Sequence, residues 1–292
     1  MKVALIGLGK MGKVLAQRIL LGEFSLTVYN RTAIKMQPLI RAGAKGADSL
    51  QAAVENADVV ITCLLDDAAV LECVNGEKGF LSFLKSGAIH IGTSTILPST
   101  SKTLSSLHAE NKSLYIAANV LGVPKAAEKG ELTTIVAGSK DIIEKLTPLF
   151  LCYSQKIIHA GTQAYQANAM KICINYLLAS SIEMLGEIYA FAEKNEMDIS
   201  IIHDFLQTVY AHPAFKLYVD KIKDRNFDEV NFNLSGGFKD LRLFQQAFAN
   251  AHVVPDVANI IANKFIIALA HEMENKDWSA ITEITRQQAG LL

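Results

Sequence analysis

Hydrophobic and polar positions follow two different schedules along this chain. Through residues 1–160, short apolar runs rich in Val and Ile recur at 3–6, 26–29, 59–63, 88–91, 114–117, 134–137 and 156–159, followed at once or within three residues by glycine or polar residues. Short runs bounded by turn residues predict strands buried on both faces. Between most of them the apolar residues fall at helical spacing, over 10–21, 33–42, 98–111 and 141–150. Two of these segments carry start signals, Pro98 in a first turn and Ser139 placed as an N-cap. Strands alternating with helices predict a mostly parallel, doubly wound sheet.

After Gly161 the schedule changes. One helical pattern runs from 163 to 193 with no proline and the single glycine Gly186. At a rise of ~1.5 Å per residue it spans about 45 Å, long enough to join two domains. The segments 199–210, 213–223, 239–251, 255–274 and 277–287 are helical as well, and no strand-like run interrupts them. The expected organisation is an α/β domain over 1–162, then a long interdomain helix leading an all-helical domain over 163–292.

Composition narrows the functional classes. Half of the 292 residues are hydrophobic, enough for a sizeable core. Lys plus Arg number 28 against 29 Asp plus Glu, so no net charge draws the chain to nucleic acid or to an anionic membrane. No apolar run reaches the ~18 residues of a membrane span. Cys63, Cys73, Cys152 and Cys173 are scattered and none stands beside histidine at metal-ligand spacing, so reduced thiols and no metal are expected. The chain opens directly in a strand pattern with no basic n-region, which adds up to a cytoplasmic expectation.

The first strand pattern runs into Gly7-Leu8-Gly9-Lys10-Met11-Gly12 and then into a helix without a gap. Glycines at those three places suit a dinucleotide: Gly7 for the tight turn, Gly9 for close backbone approach to a pyrophosphate, Gly12 for helix–strand packing. The helix N-terminus then faces the anion. Eighteen residues on, the second strand ends in Asn30-Arg31-Thr32-Ala33-Ile34-Lys35. An NAD site carries an acid there for the ribose 2′-hydroxyl, whereas a nearby Arg accommodates a 2′-phosphate. This tip has no acid; Arg31 and Lys35 supply cations, and Asn30 and Thr32 supply donors, which points to NADP. The structural alternative is a polar turn in which Thr32 caps a helix.

These two motifs, with Leu65-Asp66-Asp67-Ala68-Ala69-Val70, Ser94-Thr95-Ile96-Leu97-Pro98 and Lys239-Asp240-Leu241, resemble the β-hydroxyacid dehydrogenase family. That family includes 3-hydroxyisobutyrate dehydrogenases and glyoxylate/succinic semialdehyde reductases; 6-phosphogluconate dehydrogenases and imine reductases are more distant relatives. The resemblance covers nearly the whole chain. It implies a Rossmann domain, with Leu64, Leu65, Thr95 and Lys239 joining the residues above as cofactor contacts, and Thr95 by the nicotinamide. Asp240 would support the cleft and Phe238 would wall the substrate. A homodimer built through the helical domain is implied in the same way.

The family's substrate motif reads approximately Asp-Ala-Pro-Val-Ser-Gly-Gly and ends Gly-x-Leu. Here it is Ala117-Ala118-Asn119-Val120-Leu121-Gly122-Val123, ending Gly130-Glu131-Leu132. Leu121 stands where the family's serine binds a substrate carboxylate, a loss of roughly 1.5–3 kcal/mol of hydrogen bonding to a charged group. Backbone N–H groups at Gly122 can still take an anion. The string Leu121 to Pro124 leans toward imine reductases.

The long helix carries Asn168-Ala169-Met170-Lys171-Ile172-Cys173-Ile174-Asn175. Lys171 and Asn175 are four apart and share a face, with Asn168 one turn earlier. By the resemblance, Lys171 is the proton donor to a carbonyl oxygen and Asn175 orients the substrate. Apolar neighbours make a merely solvated lysine the weaker alternative. The sequence thus reads as an NADP-dependent reductase of a small aldehyde or keto acid. Its rivals are an imine reductase and a non-catalytic NADPH-binding sensor.

Overall fold

The apolar runs of the first half become one eight-stranded sheet in the computed structural model, which describes residues 1–210 and 212–291. The chain divides into two compact units, Met1–Lys171 and Ile172–Leu292. In the first unit the strands are β1 (Lys2–Ile6), β2 (Ser25–Tyr29), β3 (Lys45–Gly46), β4 (Val59–Thr62), β5 (Ile89–Gly92), β6 (Leu114–Leu121), β7 (Leu132–Ala137) and β8 (Ser154–Gly161). The helices between them are α1 (Lys10–Leu21), α2 (Gln37–Arg41), α3 (Leu50–Val54), α4 (Asp67–Asn75), α5 (Pro98–Glu110), α6 (Pro124–Lys129) and α7 (Lys140–Phe150).

The sheet order is β3-β2-β1-β4-β5-β6-β7-β8, parallel throughout except where β6 meets β7 antiparallel. Strand order therefore reverses between β1 and β4, the switch point at which open α/β sheets bind ligands. Strands β1, β4 and β5 are buried along nearly their whole length, as the apolar runs of β1 and β4 require. Leu15 and Ile19 from α1 and Leu146, Leu149 and Phe150 from α7 pack into the same core.

Local chemistry explains where the pattern misleads. The segment 33–42 is a 3₁₀ turn, Ala33–Met36, followed by α2, whose second residue is Pro38. Proline there supplies no N–H, so the turn and α2 do not fuse into one helix. Ser139 does occupy the N-cap position of α7, but its side chain makes no capping bond. The short α3 and α6, the two-residue β3 and the helix α4 lay below the periodicity signal. Asp66 caps α4 by accepting from the Ala69 N–H at 2.8 Å.

A polar chain runs through the apolar core beside β5. His90 and His108 are fully buried. His108 Nδ1 lies 2.8 Å from the Leu104 carbonyl, which can only accept, so that nitrogen carries the proton. His108 Nε2 then accepts from His90 Nδ1 at 3.1 Å, and His90 Nε2 accepts from the Thr62 hydroxyl at 2.8 Å. Burial holds both imidazoles neutral: His90 lies well below its ordinary range, helped by His108 beside it, and His108 is brought down to about 4.

Helix α8 (Tyr165–Lys194) runs through the boundary between the units. The second unit continues with α9 (Ile199–Val209), α10 (Pro213–Asp224), α11 (Leu234–Asn250), α12 (Asp256–Ala270), a 3₁₀ turn at Trp278–Ala280 and α13 (Ile281–Gln288). Helix α11 begins five residues before Lys239, so Ser235, Gly236 and Gly237 form its first turn rather than a loop ahead of it. A Cβ on Gly237 would lie 2.9 Å from Trp278, so glycine there allows close packing. The buried Asp277 fixes the same corner, accepting from the N–H groups of Asn231 and Phe232 at 3.0 and 3.3 Å. Among the described residues, no helix is long and apolar enough to cross a membrane.

Candidate functional site

At the carboxyl edge of β1 the three glycines play three separable roles. Gly7 has φ +98°, and a Cβ on it would lie 2.3 Å from the Cys63 carbonyl oxygen. A Cβ on Gly12 would lie 2.0 Å from the Gly7 carbonyl oxygen. Both glycines are therefore demanded by the fold itself. Gly9 is different: it is exposed, and a Cβ there would meet nothing within 4 Å. It is also the N-cap of α1, with no side chain capping the helix. The sequence spends a glycine where the protein needs none, at the donor-rich end of a helix. This open cradle fits the pyrophosphate of a dinucleotide.

The cofactor candidates around it divide by what they touch. The Leu8 N–H donates to Asn30 Oδ1 at 2.9 Å, and Asn30 Nδ2 donates to the Thr32 carbonyl at 3.1 Å. Asn30 thus ties the glycine loop to the tip of β2, while the Leu8 side chain belongs to the core. Thr32 stands at the N-cap of the 3₁₀ turn without a side-chain capping bond, so the alternative of a threonine cap does not hold. Arg31 and Lys35 are exposed at this tip, Lys10 is exposed in the first turn of α1, and Met11 is half-buried.

Next along the sheet, the ends of β4, β5 and β6 are stitched together by side chains. The Leu64 N–H donates to the Ser94 hydroxyl at 2.9 Å, and the Leu97 N–H to Asp67 Oδ1 at the same distance. Asn119 Nδ2 donates to the Ser94 carbonyl at 2.8 Å. Thr95, half-buried, sits in the middle of this stitched segment, and Leu65 is exposed beside it. The N-cap position of α5 is Leu97, with no side-chain capping bond, so neither Ser94 nor Thr95 occupies it. Asn119 had stood out only as a departure from a motif; its role is invisible without the neighbouring strand.

Beyond β5, Leu121 ends β6 half-buried. Gly122 has φ +132°, a conformation that requires glycine, and is exposed. Val123 is the N-cap of α6, which closes on Gly130 in the left-handed region. In sheet order, Asn30, Gly9, Leu64, Thr95 and Gly122 therefore sit along the carboxyl ends of β2, β1, β4, β5 and β6.

On α8, Lys171 and Asn175 are both buried and one turn apart. Within the second unit, Asn175 Nδ2 donates to Asp240 Oδ2 at 2.9 Å. Lys239 Nζ pairs with Asp240 Oδ1 at 2.7 Å, and Asp240 is itself buried. One carboxylate thus holds both an amide and an ammonium. Phe238, half-buried on α11, stacks on Phe265 with centroids 6.1 Å apart. Among the described residues, no group of three or more His, Cys, Asp or Glu side chains is arranged to hold a metal ion.

Comparison with known proteins agrees with this architecture. Residues 2–161 match the NAD binding domain of 6-phosphogluconate dehydrogenase, and residues 166–285 match the NAD-binding domain of NADP-dependent 3-hydroxyisobutyrate dehydrogenase. An uncharacterized oxidoreductase of Bacillus subtilis, YfjR, is 35% identical over 281 residues, covering 96% of this chain and 98% of its own. Glyoxylate/succinic semialdehyde reductase 1 of Arabidopsis thaliana is 26% identical, over 98% of this chain and 99% of its own. The structure of 3-hydroxyisobutyrate dehydrogenase of Mycobacterium tuberculosis with L-serine shares the fold at a TM-score of 0.88, with 22% identity over 98% of this chain and 99% of that one. The chain belongs to the β-hydroxyacid dehydrogenase family and is a nicotinamide-dependent oxidoreductase acting on CH–OH donors.

Proposed function

We propose that this protein is an NADP-dependent reductase of a small aldehyde or keto acid, running in reverse as a hydroxyacid dehydrogenase. Residues 1–162 hold the cofactor, and residues 163–292 carry substrate and dimer contacts. The observation that carries the reading is the pair Lys171 and Asn175, buried one turn apart on α8, with Asn175 anchored by Asp240. Arg31 and Lys35, exposed at a β2 tip that lacks an acid, support NADP over NAD.

The reduced nicotinamide, when bound, supplies a hydride to the carbonyl carbon. Gly9 and the first turn of α1 receive the pyrophosphate, Arg31 and Lys35 the 2′-phosphate, and Leu64, Leu65, Thr95 and Lys239 flank the remainder. Lys171 gives a proton from Nζ to the carbonyl oxygen as negative charge develops there, and is reprotonated from solvent. Asn175 holds the substrate oxygen from the same helix face. Gly122 offers backbone N–H groups to a carboxylate, and Leu121, Val123 and Phe238 give the substrate apolar walls.

Leu121 favours a second reading, an imine reductase, because a half-buried leucine at the end of β6 suits a less polar substrate. NADPH oxidation assayed side by side with glyoxylate, succinic semialdehyde and a cyclic imine separates the two. Turnover of the imine alone would refute the carbonyl reading.

The active form is a homodimer in the cytoplasm. Leu177, Met184 and Phe191 repeat every seven residues along α8 and are 58%, 45% and 67% exposed. A large apolar stripe on one helix face suits the same stripe of a second copy across a two-fold axis. All four cysteines are free thiols, which fits a reducing compartment. Phe191→Lys should convert dimer to monomer in light scattering; an unchanged mass would move the interface elsewhere.

A further inference from the structure

Asn168 is 1% exposed, and neither Nδ2 nor Oδ1 has a hydrogen-bond partner in the protein. Among the described residues it is the one amide side chain with both its donor and its acceptor buried and unpaired. A buried amide in that state bears the full desolvation penalty of two groups with nothing in return. Asparagine is also a poor helix former compared with the leucine or alanine that a buried helical position would ordinarily take. Asn168 nevertheless stands inside α8. With 3.6 residues per turn, Asn168, Lys171 and Asn175 fall within an arc of about 60° on one face of the helix. The unpaired amide therefore shares its face with the two residues assigned to the reacting carbonyl.

What could pair it is limited by chemistry. A ligand must accept from Nδ2 and donate to Oδ1 together. A carboxylate or a carbonyl only accepts, and a phosphate fares no better. A primary carboxamide does both through two parallel N–H···O bonds, and the nicotinamide ring carries one next to its hydride-donating carbon. Reacting carbons stand about 3–3.5 Å apart in a near-attack geometry. A proton donor reaching the carbonyl oxygen and a residue reaching the ring carboxamide should therefore be separated by about one helical turn, ~5.4 Å. Lys171 and Asn168, three residues apart, rise ~4.5 Å along the helix, close to that spacing.

We infer that Asn168 is a cofactor-binding residue whose side-chain amide pairs with the carboxamide of the nicotinamide and so fixes the rotation of the ring. The inference rests on Lys171 serving as the proton donor. It adds a specificity element to the nicotinamide end of the site, apart from the phosphate contacts at β1 and β2.

Calorimetric binding to the full chain tests it without reference to turnover. The ligands are NADP⁺, its 3-acetylpyridine analogue, which keeps the carbonyl but lacks the NH₂, and 2′-phospho-ADP-ribose, which lacks the ring. The native protein should bind NADP⁺ several-fold more tightly than the analogue. Asn168→Leu should bind NADP⁺ about tenfold more weakly, equivalent to 1.4 kcal/mol, while holding 2′-phospho-ADP-ribose unchanged. It should no longer distinguish NADP⁺ from the analogue. The isosteric Asn168→Asp should show the same loss if leucine disturbs folding. Equal affinity of the native protein for NADP⁺ and the analogue overturns the inference. So does a variant that weakens NADP⁺ and 2′-phospho-ADP-ribose alike, or neither, the result expected if only water fills the amide. Should NAD⁺ bind and NADP⁺ not, the 2′-phosphate reading fails by itself. NAD⁺, its acetylpyridine analogue and ADP-ribose then test Asn168 in the same way.

Discussion

The backbone N–H of Leu8 donates to Asn30 Oδ1 at 2.9 Å, so one side chain ties the glycine turn after β1 to the tip of β2. Asn30 shapes the cradle, whereas its neighbour Arg31 is exposed and able to read the ligand. The two should fail differently. Arg31→Ala should weaken NADPH by about 10- to 150-fold, the range of ~1.5–3 kcal/mol for hydrogen bonds to a charged group, and leave NADH nearly unchanged. Asn30→Ala should weaken both cofactors to the same degree. Fluorescence titration with each cofactor decides it; an equal effect of Arg31→Ala on both would remove the 2′-phosphate from that residue.

Asp240 holds Asn175 at 2.9 Å and Lys239 at 2.7 Å. Removing it as Asp240→Ala leaves the buried Asn175 amide without its acceptor, which costs about 1–3 kcal/mol, and lets both partners drift. Steady-state kcat/KM should fall roughly 10²-fold, the scale expected of a misplacement of about 1 Å at a reacting group. Asp240→Asn, which keeps an acceptor for Asn175, should recover part of the loss. Full activity in the alanine variant would show that Asn175 needs no anchor.

Leu121 ends β6, at the point where the sequence resemblance leads one to expect a carboxylate-binding serine. Leu121→Ser should raise kcat/KM for a short carboxylate substrate such as glyoxylate by about tenfold or more, the gain from ~1.5–3 kcal/mol of hydrogen bonding to a charged group. The same change should lower activity on apolar carbonyls. A variant equally slow on glyoxylate would mean that Gly122 alone receives the anion.

The neutral histidine pair gives the first unit a pH signature. The folded-state pKa of His90 lies well below 6.5 and that of His108 near 4, both through burial. Well above pH 6.5, from about 7.5 upward, neither state binds a proton at these residues, so they leave stability unchanged. As pH falls from 6.5 toward 4 the unfolded chain takes up protons that the folded chain refuses. Stability should therefore fall by up to about 1.4 kcal/mol per pH unit per histidine. Thermal unfolding between pH 7 and 4.5 should be less pH-dependent in His108→Gln than in the native protein. Identical slopes would show that the pair is not the source.

Much of this fold lay open in the sequence, and for physical reasons. The strands β1 and β4 are buried on both faces, so nearly every residue had to be apolar. Helix α1 was legible to the residue because glycines precede it and Gly22 follows. What escaped notice depends on contacts distant in sequence. Ser94, Asp67 and Asn119 stitch three strand ends through partners 25 to 30 residues away, and no local spacing encodes that. His90 and His108 become meaningful only through the bond that joins them across β5 and α5. Ser139 and Thr32 mislead in the opposite direction, having cap-forming chemistry at cap positions without making the bond.

Lys171 is the residue proposed to deliver the proton to a substrate carbonyl. Single-turnover oxidation of bound NADPH by a carbonyl substrate, compared between the native protein and Lys171→Met, tests it most directly. The expected result is a rate lowered by roughly 10²–10⁴-fold, the usual worth of general acid catalysis, with NADPH affinity little changed. A Lys171→Met protein that reduces the carbonyl at the native rate would contradict the account.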